Sequence, residues 1–314
     1  MKHTKQWQKI YLIQMSSAYH NPVLLKASVD GLDIKENGVY VDVTFGGGGH
    51  SKAILNALGV EGRLFAFDQD EDALANTLGD KRFTLISENF RYITQFLKFY
   101  GIKKVDGILA DFGVSSHQFD EAKRGFSTRF NADLDMRMSK RNQISAYEVV
   151  NKYSYDDLRG VLFNFGDLRN ANAIATTIIA CRETALIKTT DELKDTLKKF
   201  LPEYKKHKIL AQIYQAIRIE VNQEIKVIQE FFNQVPELLH QGGRLSVISY
   251  HSLEDRLAKR FIRTGQFEGE PEKDFYGNIK VPLKKVGGLI IPSKEEIKLN
   301  NRARSAKLRI AEKL

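Results

Sequence analysis

The stretch Val39-Tyr-Val-Asp-Val-Thr-Phe-Gly-Gly-Gly-Gly-His-Ser51 joins a short apolar run rich in β-branched residues to a run of four glycines. Ser51 to Leu58 then reads as a helix. Glycines between a strand and a helix let the backbone turn sharply and approach a ligand closely. A plain tight turn is the alternative. Four in a row are hard to explain that way, because each costs chain entropy on folding. The same strand-then-helix rhythm continues. Arg63 to Phe67 is a second strand ending at Asp68, and Glu71 to Leu78 is helical. Phe83 to Ile86 is a third strand, followed by the amphipathic Tyr92 to Tyr100. Val105 to Ala110 is a fourth, ending at Asp111. Strands separated by helices imply right-handed crossovers and an α/β fold with a mostly parallel sheet.

The alternation stops after Asp111. Phe112 to Met138 is rich in Gly, Ser, Asp and Arg and reads as a long ordered loop. Ser145 to about Leu201 has helical periodicity only, with Asp191 placed to cap one helix. Ile209 to Leu239 reads as one or two long helices returning to the sheet, and Gly243 to Tyr250 as a strong strand. Leu253 to Thr264 is helical, Gly265 to Lys280 is loop-like, and Ala306 to Ala311 alternates as an edge strand would. The expected organisation is a basic leader over 1–17, a sheet domain in two parts (18–125 and 209–314), and a helical insertion over 126–208.

Composition bounds the rest. The 314 residues exceed one average domain and fit one and a half to two, and at 42% hydrophobic and 28% charged they can bury a sizeable core. The net charge of +9 fits either a well-solvated surface or a polyanionic partner such as RNA. One cysteine, Cys181, excludes an internal disulfide and a cysteine-rich zinc site, and it is expected to pack in the core. The histidines lack metallohydrolase spacing, so no metal is expected. No apolar run reaches membrane-span length, and the leader has too short an apolar centre for a signal peptide. A cytoplasmic location is the expectation.

In an open parallel sheet, ligands bind beyond the carboxyl ends of the strands. The glycine loop, Asp68, Asp111 and the segment Ser249 to Arg256 all fall at such ends. Asp68 stands about 20 residues after the glycines, where an acid accepts ribose hydroxyls. Capping of the next helix is its alternative role. Contiguous glycines differ from the dinucleotide fingerprint, whose third glycine lies inside the helix. That favours a cofactor without pyrophosphate over a nicotinamide dinucleotide. Asp111-Phe-Gly113 lacks the companion motifs of a kinase, and Ser249 to Asp255 is too local for a hydrolase triad. Ser252 is instead expected to cap the helix, with Tyr250 or His251 facing the site.

These segments resemble the bacterial 16S ribosomal RNA (cytosine-N4)-methyltransferases. The resemblance runs through His20-Asn-Pro-Val-Leu-Leu25, Asp42 to Ser51, Phe67-Asp68, Asp106 to Gln118, Arg124-Gly-Phe-Ser127 and Leu134-Asp-Met-Arg-Met138. It continues through Gln215 to Asn222, Gly242 to Arg256 and Asn301-Arg-Ala-Arg-Ser305. It departs at Asn301, where the family usually has proline, and at Phe165 to Arg169, where the family segment carries more charge. The resemblance implies a class I methyltransferase fold, Rossmann-like, with a helical domain inserted after the fourth strand. It implies S-adenosylmethionine as cofactor, with contacts at Gly48, Gly49, His50, Asp68, Phe90, Asp111 and Gln118. It also implies 16S rRNA of the small ribosomal subunit as partner and N4 of a decoding-centre cytidine as target. Asp111 is the candidate for orienting the target amine; contact with the methionine part of the cofactor is its rival role. His251, Lys205, Lys206, Lys208, Arg302 and Arg304 are the candidate RNA contacts, with Lys198 and Lys199 beside them. A solvated surface is the alternative for each. The oligomeric state is open, a homodimer included. A nicotinamide oxidoreductase and an inactive RNA-binding relative are the competing functions.

Overall fold

The computed structural model describes residues 22–271, 273–277, 279 and 281–314. The leader and the first two residues of the His20 motif lie outside these. Among the described residues the sheet has seven strands: β1 (Val39–Asp42), β2 (Arg63–Phe67), β3 (Phe83–Ile86), β4 (Val105–Asp111), β5 (Leu239–Ser249), β6 (Leu283–Ile290) and β7 (Lys307–Lys313). Their order is β3-β2-β1-β4-β5-β7-β6. The first five are parallel, and β7 pairs antiparallel with both β5 and β6. The chain moves outward from β1 to β3 and restarts at β4 on the other side of β1. The switch point, where a crevice opens, is therefore between β1 and β4.

The central strands are apolar on both faces because both are covered. Successive residues of a strand point to opposite faces. Tyr40, Leu64 and Leu109 pack with Ile54 and Leu55 of α2 (Gly49–Ala57) and with Val29 of α1 (Leu25–Asp30). Their neighbours Val41, Phe65 and Ile108 pack on the other face with Ile93 and Leu97 of α3 (Ile93–Phe99). The expected helix over Glu71 to Leu78 is only a 3-10 turn over Glu71–Asn76. Asp70 caps it by accepting from Asp72 N, so Asp68 is not spent on that task.

Between β4 and β5 the chain forms α4 (Ser116–Asp120), α5 (Ala146–Lys152), α6 (Tyr155–Gly166), α7 (Ala171–Thr184), α8 (Thr190–Thr196), α9 (Lys206–Asn222) and α10 (Glu224–Leu238). Helices α5 to α9 share their own core, which includes Val149, Leu162, Ile174, Ile178, Leu193, Ile213 and Ile217. The boundary expected at 208/209 cuts through this core. Leu210 to Val221 of α9 pack on the helical block, whereas Ile228 to Leu238 of α10 pack on the sheet. Asn222, at the end of α9, ties that helix to the loop before α5. It accepts from Met138 N at 2.7 Å and donates to Met136 O at 2.8 Å.

Three local expectations need correction. Thr189, not Asp191, caps α8, because its hydroxyl reaches Glu192 N while Asp191 lies inside the first turn. The strand near the C-terminus is not at the edge. β7 is flanked on both sides, and the edge is β6, whose paired lysines and glycines blur its alternation. Cys181 is only half-buried, packing against the block core with Thr196 Oγ1 at 3.3 Å from its sulfur. No described helix is long and apolar enough to cross a membrane.

Candidate active site

A cleft of about 1170 Å³ opens beyond the carboxyl ends of β1, β2, β4 and β5. Gly46, Gly47, Gly49, His50, Asp68, Phe90, Asp111, Gln118, His251, Arg302 and Arg304 all line it. Gly46 has φ +51° and donates from its amide to Asp68 Oδ2 at 2.8 Å. Asp68 Oδ1 accepts from Asp70 N at 2.8 Å. Each oxygen keeps a second lone pair for a ligand. Burial pushes the Asp68 carboxyl up to about 6, against the pull of those two amides. Gly49 must be glycine for another reason: a Cβ there would meet Pro22 Cγ at 2.1 Å. Gly48 does not line the cleft. Its left-handed backbone starts α2, and its amide donates back to Phe45 O at 2.8 Å. The strand-to-helix turn thus aims its neighbours, not Gly48, at the ligand space.

Phe90 stands at the cleft wall, stacked on Phe112 with ring centroids 6.0 Å apart and edge-on to Phe231. Gln118 is buried and its side chain is already engaged. Its Oε1 accepts from Ser115 N at 3.0 Å and its Nε2 donates to Asp70 Oδ2 at 2.8 Å. Arg124 joins Asp70 as well and donates to the carbonyls of Arg137 and Met138. Asp70 therefore locks the end of β2 to the loop after β4. In the sequence Arg124 stands out only as part of a motif, and Asp70 carries no signal of this role.

Asp111 ends β4, its amide fixed by Thr44 Oγ1 at 2.7 Å. His50 Nε2 donates to the Val23 carbonyl at 3.2 Å, which leaves Nδ1 facing Asp111 Oδ2 at 3.8 Å. The Tyr250 hydroxyl faces the same carboxylate and favours its charged form. Asp111 Oδ1 is buried and has no hydrogen-bond partner among the described residues. Burial pushes this carboxyl up to about 6, against the pull of His50 and Tyr250. Behind it, fully buried Asp42 accepts from Ser51 Oγ at 2.7 Å and is likewise pushed up by burial.

The far wall was hardest to foresee. Glu254 accepts from the amides of Tyr250 at 2.8 Å and His251 at 3.3 Å. Burial alone would push its carboxyl up, but His251, the Tyr250 amide and Arg218 outweigh it and hold it below the ordinary range. His251, rather than Ser252, caps α11 (Ser252–Thr264), because its ring nitrogen faces Glu254 N. Arg218 of α9 grips Glu224 of α10 through two bonds of 2.8 and 3.0 Å, with Glu224 buried and Arg218 nearly so. Glu224, His251 and Glu254 bring ligand atoms within 4.8 Å of one another, as a metal site would. The Arg218 guanidinium already fills both Glu224 oxygens, so the resident cation is an arginine. Removing one partner of a buried pair costs about 3–5 kcal/mol. Arg218→Met should lose that much in urea unfolding, and adding Glu224→Leu should recover most of it.

The candidate RNA contacts are scattered. Arg302 is ion-paired with Asp120 at 2.6 Å, while Arg304 is exposed. Lys205, Lys206 and Lys208 lie at the start of α9 and do not line the cleft. Twelve residues of helix, about 18 Å, separate Lys206 from Arg218.

The profile of the MraW methylase family matches residues 17–314. The chain belongs to the MraW methylase family. Proteins called ribosomal RNA small subunit methyltransferase H are similar over almost their whole length. The one from Flavobacterium johnsoniae is 70% identical over 94% of this chain and 98% of its own. The Christiangramia forsetii protein is 67% identical over the same shares. That of Parabacteroides distasonis is 49% identical over 96% and 99%. A methylase family sets the nicotinamide alternative aside.

Proposed function

We propose that this methylase transfers the methyl group of S-adenosylmethionine to N4 of a cytidine in 16S ribosomal RNA, at the decoding centre, in the cytoplasm. The observation that carries the reading is the unpartnered, buried Asp111 Oδ1 in the same cleft as the glycine loop and Asp68. The cofactor supplies an electrophilic methyl on a sulfonium. Gly46 and Gly47 leave room for its backbone-like part, Asp68 suits its ribose hydroxyls, and Phe90 offers a ring to its adenine. Gln118 supports the pocket through Asp70 rather than by a free polar group.

The sulfonium charge disappears as the bond forms, so the site's main task is alignment. Cytosine N4 is a weak nucleophile because its lone pair is delocalised into the ring. An acceptor for one amine hydrogen helps localise that pair, and Asp111 Oδ1 is an acceptor without a partner. A base in an RNA helix must be flipped out to reach it. Mass spectrometry of ribosomal RNA nucleosides, with and without this gene, tests the reading. Loss of N4-methylcytidine is expected; an unchanged amount would reject it.

The helical block is the proposed RNA-recognition part, with the α9 lysines as phosphate contacts distant from the target base. Each phosphate contact changes the salt slope of binding by about 0.7–0.9. Replacing Lys205, Lys206 and Lys208 together with Ala should reduce that slope by roughly 2. An unchanged slope would mean that these lysines face only solvent.

A further inference from the structure

A second cavity, of about 280 Å³, lies against the main cleft. The two share Tyr250, His251, Arg304 and Ser305 as walls. Ile291, Pro292 and Ile297 form the apolar side of the smaller one, and Arg304 and Lys307 add positive charge. Among the described residues, no carboxylate lines it. Lys307 is tied to Asp255 at 3.2 Å, whereas exposed Arg304 pairs with no described carboxylate. The apolar surface continues outward. Ile291 is 64% exposed, and Leu299, on α12 (Lys294–Leu299), is 68% exposed.

We propose that this cavity receives the nucleotide adjacent to the methylated one. Its base would lie against Ile291, Pro292, Ile297 and the Tyr250 ring, and its phosphate at Arg304. The inference rests on the RNA reading above. A nucleotide extruded into the main cleft leaves its neighbour without a stacking partner on one side, which frees that neighbour to be held elsewhere. Unstacked bases are held by apolar and aromatic surfaces, and phosphates by arginine. A cavity with both features, sharing a wall with the cleft and lined by no acid, suits that neighbour. One base fits its volume, which is near the lower limit of small-ligand pockets, roughly 300 Å³.

The test uses small-subunit RNA carrying an abasic ribose on the 5′ or the 3′ side of the target cytidine. One of the two substitutions should lower wild-type kcat/KM by about 10-fold, the scale of one lost base stack. Ile291→Ser should cost a similar factor on intact RNA and nothing further on that abasic RNA. Ile291→Tyr, which offers a stacking ring, should keep or raise the rate. Affinity for S-adenosylmethionine and the sedimentation coefficient should stay as in the wild type for both variants. Additive losses, or no loss with either abasic RNA, would overturn the proposal. A changed sedimentation coefficient would also overturn it, by making the apolar surface around Ile291 a contact between copies. If the wild type binds cofactor but leaves intact RNA unmethylated, the RNA reading itself falls.

Discussion

Asp68→Ala is expected to weaken S-adenosylmethionine binding by about 100-fold, because hydrogen bonds to a charged acceptor are worth roughly 1.5–3 kcal/mol each. The carboxylate already accepts from Gly46 and Asp70, so it is fixed in place before a ribose arrives. Truncation also frees those two amides, and part of the loss would come from a loosened glycine loop. Asp68→Asn separates the effects: it keeps one acceptor for the loop and should cost about 10-fold. Calorimetry on both variants, with melting curves beside it, measures the two contributions. Unchanged affinity in Asp68→Ala would remove the ribose from this position.

The same placement sets a pH dependence. Burial pushes the carboxyls of Asp68 and Asp111 up to about 6. A protonated Asp68 loses part of its accepting power. Affinity should therefore rise as pH goes from 5 to 7 and level off above that. The Asp68→Asn variant should show a shallower rise, limited to the share of Asp111. A flat wild-type profile would mean that neither carboxylate meets the cofactor.

The sheet was legible where period two and full burial coincide. Tyr40 and Val41, or Ile108 and Leu109, are neighbours that enter opposite cores, and both had to be apolar. β6 was not legible, because Lys284, Lys285, Gly287 and Gly288 carry the signature of an exposed edge rather than of a strand. The end of the insertion was misplaced for a related reason. The apolar stripe of α9 looks the same whether it covers a sheet or other helices, and only packing distinguishes them. In the site, residues at strand ends were readable because topology alone sends them to the crevice. The Arg218–Glu224 pair and its approach to the local His251–Glu254 cap were not, since α9, α10 and the start of α11 meet only in the fold. Gly48 shows a finer limit. Four glycines mark a loop, but the turn geometry decides which of them faces the ligand.

Asp111→Asn is expected to lower kcat by about 100-fold, roughly 2.7 kcal/mol at the barrier, with a smaller change in cofactor affinity. The substitution keeps shape but removes the charge and one acceptor position. If Oδ1 orients the target amine, its effect is felt mainly at the transition state. If the carboxylate instead holds the methionine ammonium, affinity should fall at least as much as turnover. Single-turnover N4-methylation and calorimetry on the same preparation distinguish the two. Stability gives an independent readout. With a native carboxyl near 6 and an unfolded value near 3.9, the folded protein binds more protons between these values. Stability then falls as pH rises through that window, and the cost persists above it. Asp111→Asn escapes this cost. It should melt higher than the wild type at pH 7.5, and the gap should close as pH falls from 6 towards 4. Slower turnover joined to a higher melting temperature is what a carboxylate held in the cleft for chemistry predicts. A variant with full turnover and normal affinity would leave Asp111 as no more than the end of its strand.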